Sequence, residues 1–92
     1  MATWKVIIDY DARRSIEEQD RIDQEMDRLA QSSGVIVDGG RGSGFDRRDL
    51  DYHYDSEEEA EALVQGVTDA FSNRAGLDLS ARYIALEGAF EA

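Results

Sequence analysis

The chain has 92 residues, 41 % of them hydrophobic, a formal net charge of −11 and no cysteine. That length makes one domain, because two halves would each be too small to bury a core. The charge argues against nucleic acid or anionic membrane as a direct ligand, since both need clustered Lys and Arg, and the lack of cysteine excludes disulfides and thiolate sites.

The opening stretch alternates Trp4, Val6, Ile8 and Tyr10 with Lys5, Ile7 and Asp9, the period of a strand, and reads as a strand rather than a secretory leader. Ser15 with Glu18 fits a capping box that starts a helix. Ile22, Met26, Leu29 and Ala30 follow at helical spacing, and Gly34 is placed to end it. The carboxylates of this helix alternate with Arg21 and Arg28, as on a solvated face. Residues 35–38, VIVD, are expected to form a short second strand, and the glycine-rich stretch 39–48 a turn-rich connection. A third strand is expected from Asp49 to Asp55, with Leu50, Tyr52 and Tyr54 inward. Ser56 with Glu59 is a second capping box, with acids in the first turn where the helix dipole favours them. Ala60, Leu63, Val64, Val67 and Phe71 continue the apolar stripe, Gly76 closes the helix, and Ala81 to Glu87 reads as the last strand.

The order β-α-β-β-α-β, with right-handed crossovers around a central hairpin, predicts an α+β ferredoxin-like fold: a four-stranded antiparallel sheet with two helices on one face. No apolar run approaches the ~18–20 residues of a membrane helix, so no membrane partner and a cytoplasmic location are expected.

Enzyme signatures fail on placement. The glycines of GGRGSG (39–44) lead from strand to strand, whereas a phosphate loop must deliver its amides at a helix N-terminus. VQGV at 64–67 resembles part of the acylphosphatase signature, but it lies inside the second helix, with Val64 and Val67 in the core stripe. Asp49, Asp51, His53 and Asp55 share a strand face, yet alternate positions lie ~6.8 Å apart, so one ion could take only two of them. An EF-hand loop starting at Asp49 would need Gly at Tyr54 and Glu at Ala60. His53 has no nucleophile arrangement pointing to it and is expected exposed among carboxylates. No enzyme activity, cofactor or metal is therefore expected.

What remains is the charge distribution. Residues 1–48 carry ten acids and eight bases, net −2, while residues 49–92 carry eleven acids and two bases, net −9. In the expected fold, Asp49, Asp51, His53 and Asp55 would lie on the sheet face away from the helices. They would be joined there by Lys5, Ile7 and Asp9, and by Tyr83, Ala85 and Glu87 from the last strand. Glu57, Glu58, Glu59 and Glu61 would adjoin them. Small size, strong acidity and an α/β fold make the chain similar to phage-encoded DNA-mimic inhibitors of the anti-CRISPR type, a resemblance carried by charge, size and fold rather than by a motif. It implies a non-enzymatic inhibitor occupying the basic nucleic-acid-binding surface of a partner protein in a host cytoplasm. The contact residues would be Asp9, Asp49, Asp51, His53, Asp55, Glu57, Glu58 and Glu61. The competing expectation is a homo-oligomeric, possible homodimer, ferredoxin-like regulatory or small-ligand-binding module whose acidity reflects a halophilic environment.

Overall fold

In the computed structural model, which describes residues 3–86, the alternating N-terminal stretch becomes β1 (Trp4–Asp11). Val6, Ile8 and Tyr10 are fully buried, while Lys5, Ile7 and Asp9 are half-buried on the other face. The Ser15 hydroxyl accepts the Glu18 N–H at 3.1 Å and starts α1 (Ile16–Ser33), which ends at Gly34. Ser56 accepts the Glu59 N–H at 3.3 Å and starts α2 (Glu57–Phe71). Both caps satisfy one of the amides a helix start leaves without an intrahelical acceptor.

The second strand departs from the sequence expectation. β2 is Asp38–Gly44, not residues 35–38, and it runs through the glycines expected to form a connection. β3 (Arg47–Tyr54) begins before Asp49 for the same reason. The hairpin turns at Phe45-Asp46, both with positive φ (52° and 63°), the handedness that matches strand twist in a two-residue loop. Side-chain pattern does not hold β2 in place; its ladder to β3 does, from Asp38 opposite His53 to Gly44 opposite Arg47. Val35 to Val37 lead in, with the Val35 N–H donated to Glu59 Oε2 at 2.8 Å and the Val37 N–H to the His53 carbonyl at 2.9 Å.

α2 stops at Phe71 rather than at Gly76, which lies in the following turn with φ 80°. The last strand, β4, is Ser80–Ala85; Glu87 lies outside the described residues. The sheet order is β2-β3-β1-β4, antiparallel throughout. One core joins Val6, Ile8, Leu50 and the three buried tyrosines to Ile22, Met26, Leu63, Val67 and Phe71 of the helices. Both helices therefore cover one face, the ferredoxin-like arrangement expected, and the other face is open. Among the described residues no helix is long and apolar enough to cross a membrane.

Candidate association surface

Strand register fixes what the open face carries. Lys5 pairs with His53 and Ile84, Ile7 with Asp51 and Arg82, Asp9 with Asp49 and Ser80, and Asp11 with Arg47. β2 adds Asp38, Gly40, Gly42 and Gly44 to the same rows. Asp9, Asp49, Asp51 and His53 thus share the face expected of them. Asp9 and Asp49 stand directly opposite each other, a repulsive cross-strand pair. Arg47 relieves it by donating to Asp9, and it also reaches Asp78 Oδ2 at 3.0 Å and the Asp78 carbonyl at 2.8 Å. The Asp9 hydrogen bond is the main reason the Arg47 pKa is pushed above its ordinary value. His53 is not a free exposed histidine: its side chain is 18 % exposed and Nε2 lies 2.9 Å from Asp51 Oδ2.

Two expectations about this face need correction. Tyr83 pairs with Val6 and Ala85 with Trp4, which phases Tyr83 toward the helices. Its ring meets Trp4 edge-on at 5.8 Å, and its hydroxyl donates to Glu57 Oε2 at 3.1 Å and Glu61 Oε2 at 3.4 Å. β4 instead gives the open face Ser80, Arg82 and Ile84. Glu57, Glu58 and Glu61 belong to the first turns of α2, so the sheet separates them from the open-face carboxylates. Asp55 lies one residue beyond β3, with Thr3 Oγ1 donating to its carbonyl at 2.8 Å. The eight residues expected to form one acidic surface are therefore divided between two faces and an edge, and the open face also carries Lys5, Arg47 and Arg82.

A polar cluster that sequence reasoning missed lies between α1 and the sheet. Asp23 is only 5 % exposed. Its Oδ1 accepts the Tyr10 hydroxyl at 2.8 Å, and its Oδ2 accepts Arg48 Nε at 3.0 Å and Nη2 at 2.8 Å. One turn on, Asp27 Oδ1 accepts the Tyr52 hydroxyl at 2.6 Å and Arg41 Nη2 at 2.7 Å. Burial first, then the hydrogen bond to the neighbouring carboxylate, pushes the pKa of both tyrosines well above the ordinary value. The Arg48 pKa is raised mainly by its hydrogen bond to Asp23. The available signal was spacing: Asp23, Asp27 and Ala30 lie at i, i+4 and i+7, one helical stripe facing inward. Every buried side-chain polar atom among the described residues has a partner, so the cluster is a closed structural network. Among those residues no group of three or more His, Asp or Glu side chains is placed to hold a metal ion.

No protein-family model matches the chain, and no curated protein matches it in sequence. Among solved structures, a dimeric ferredoxin-like protein from an uncultured marine organism superposes with a TM-score of 0.60 at 12 % identity. The match covers 94 % of this chain and 96 % of that one. At this identity the likeness concerns the fold, and the fold of the described residues is ferredoxin-like.

Proposed function

We propose that the protein is a non-catalytic association module that pairs with a second copy of itself through the open sheet face. The observation that carries this reading is the way charge is divided across that face. The β1 and β4 half carries Lys5 and Arg82, which have no carboxylate within ion-pair distance among the described residues, while its own carboxylates, Asp9 and Asp11, are held by Arg47 and Arg13. The β3 and β2 half carries Asp49, Asp51 and Asp38 above a strand whose open-face positions are otherwise glycine. The Asp51 carboxylate leans over Gly40, where a Cβ would lie 3.1 Å from its Oδ1. A two-fold axis running along the strands between two stacked sheets places β4 of one copy over β2 of the other. Arg82, in the row of Ile7, Asp51 and Gly40, then extends into the space Gly40 leaves and meets Asp51 of the other copy. Ile7 and Ile84 supply apolar contact. The dimeric state named for the similar ferredoxin-like structure agrees with this use of the fold.

Charge exchange tests it. At physiological salt the wild type should sediment as a dimer and Arg82→Glu and Asp51→Arg should each sediment as monomers. Mixing the two variants should restore a dimer, because each interface then pairs one new Glu–Arg couple with one native couple. Variants that stay dimeric alone, or a mixture that stays monomeric, would exclude the arrangement.

A second reading, the DNA-mimic inhibitor, is favoured by a different observation. Asp49, Glu57, Glu58 and Glu61 have no cation within ion-pair distance among the described residues, so their charges are available to a basic partner. That reading expects a monomer that loses a basic protein partner on charge reversal at Asp49, Asp51, Glu58 and Glu61, with its thermal midpoint kept.

A further inference from the structure

On the helix side, away from the open face, a cavity of about 280 Å³ lies between the start of α1 and the α2–β4 connection. Its lining includes Arg14, Arg21 and Arg74, with Glu18 at the rim and Ile22 and Leu77 as an apolar floor. We infer that this cavity binds a small organic carboxylate with an apolar body, of the size of an aromatic or branched-chain acid.

The guanidinium groups carry the inference. Arg14 is only 16 % exposed in its side chain. It is fixed by two neutral acceptors, Nε donating to the Asp11 carbonyl at 2.8 Å and Nη2 to the Gly76 carbonyl at 3.0 Å. Carbonyls orient it, and its one carboxylate partner among the described residues is the half-exposed Glu18, whose Oε2 makes a long ion pair at 3.7 Å from Nη1. Arg74 is also held, stacked 4.6 Å over the Phe71 ring and donating to Glu25 Oε1 at 2.8 Å. Arg21 has no carboxylate within ion-pair distance among the described residues. In a chain of net charge −11, this is a cavity where cations outnumber acids.

A planar guanidinium fork suits a carboxylate bidentately, and a pre-oriented arginine loses little freedom on binding. The floor of Ile22 and Leu77, 5 % and 2 % exposed, accepts the apolar body. The volume lies just under the usual range for small-molecule sites, which sets the ligand size. The inference stands apart from the dimer, because no residue of this cavity is on the open face.

Benzoate is the probe, with benzamide as its uncharged counterpart and acetate as the charge without the ring. In roughly 0.15 M NaCl, where diffuse attraction is screened, arginine Nε–Hε resonances of the full chain are followed by NMR. Benzoate should shift Arg14 and Arg21 saturably, and benzamide and acetate should each bind roughly tenfold more weakly, the worth of one charge-assisted contact. Arg21→Ala, at an exposed position, should weaken benzoate about tenfold. Arg28→Ala, on the same helix outside the cavity, should leave it unchanged. Benzamide binding as well as benzoate, equal losses in the two variants, or no saturation by roughly 50 mM benzoate would overturn the assignment.

Discussion

Asp23 holds together three segments that are distant in sequence. It takes the Tyr10 hydroxyl from β1 and the Arg48 fork from β3, with Arg41 of β2 at 3.6 Å. Its partners are themselves largely withdrawn from water, Arg48 with 20 % of its side chain exposed and Tyr10 with none of its surface. Asp23→Ala therefore takes the carboxylate from a shielded guanidinium, which keeps only Ser43 Oγ at 2.8 Å, and leaves the Tyr10 hydroxyl only the longer contact to the Gln19 carbonyl at 3.3 Å. Under-satisfied groups of this kind cost more than the pair itself contributes. The expected loss is about 2–4 kcal/mol, read as a lower urea midpoint at unchanged slope. Asp23→Asn, which keeps an acceptor for Tyr10, should lose less. A loss below about 0.5 kcal/mol for the alanine variant, the range of an ordinary surface change, would show that Asp23 is not the fastener described. The helical stripe containing Asp23 could be read from the sequence, but its partners could not. Tyr10 and Arg48 come together through the β1–β3 register, which no local periodicity encodes.

α1 is docked on the sheet by tyrosine hydroxyls as well as by hydrocarbon. Tyr10 donates to Asp23 at 2.8 Å, Tyr52 to Asp27 at 2.6 Å and Tyr54 to the Ala30 carbonyl at 2.6 Å. Burial is the largest cause holding all three pKa values well above the ordinary tyrosine value. In the unfolded chain these groups ionise near ~10. Below that pH both states keep the proton and the stabilisation is complete. Above it the unfolded chain releases protons that the native state retains, so stability falls as pH rises toward the folded values. The expected slope approaches ~1.4 kcal/mol per pH unit for each tyrosine. Urea midpoints between roughly pH 9 and 11 should drop steeply, and Tyr52→Phe should remove one proton's share of the slope. A native tyrosinate absorbance appearing in full near pH ~10 would contradict the buried assignment.

The strands show where reading by element succeeds and fails. β1, β3 and both helices announce themselves because one face is apolar and the other polar. β2 carries four glycines in seven residues, so it has no side-chain pattern to read; it is a strand because β3 pairs with it. β4 has the opposite difficulty. Ala81, Tyr83 and Ala85 alternate with Ser80, Arg82 and Ile84, and each set has apolar members, so period alone gives two faces without saying which is inward. Pairing of Tyr83 with Val6 settles it, and that choice moved Arg82 onto the open face and Tyr83 off it. The charge character of the candidate surface changed with it, from nearly all acidic to divided.

At the scale of the whole molecule, a self-associating face must overcome the net charge. The molecule measures 43 × 25 × 17 Å, so two copies stacked on their sheets would have centres about 27 Å apart, the thin dimension plus a packed layer of ~10 Å. Two bodies of charge −11 at that separation repel, as screened point charges, by about 8 kcal/mol near 0.01 M salt, where the Debye length is ~30 Å. At about 0.15 M, with a Debye length of ~8 Å, the same repulsion falls to about 0.6 kcal/mol. Exposed ion pairs contribute no more than ~1 kcal/mol each, so Arg82–Asp51 couples cannot hold a dimer together at the lower salt. At the higher salt the same couples, with Ile7 and Ile84, face an obstacle of their own size. The sheet-face dimer should therefore form as salt is added, although charged pairs position it. Sedimentation velocity should give a monomer near 0.01 M NaCl and a dimer near about 0.15 M, and only at the higher salt should the thermal midpoint rise with protein concentration. Beyond about 1 M, where the Debye length is ~3 Å, net repulsion has nothing left to relieve and the midpoint should level off. A midpoint still climbing there would mark the acidity as an adaptation to brine, and a dimer tightest at the lowest salt would mean that association uses some other surface.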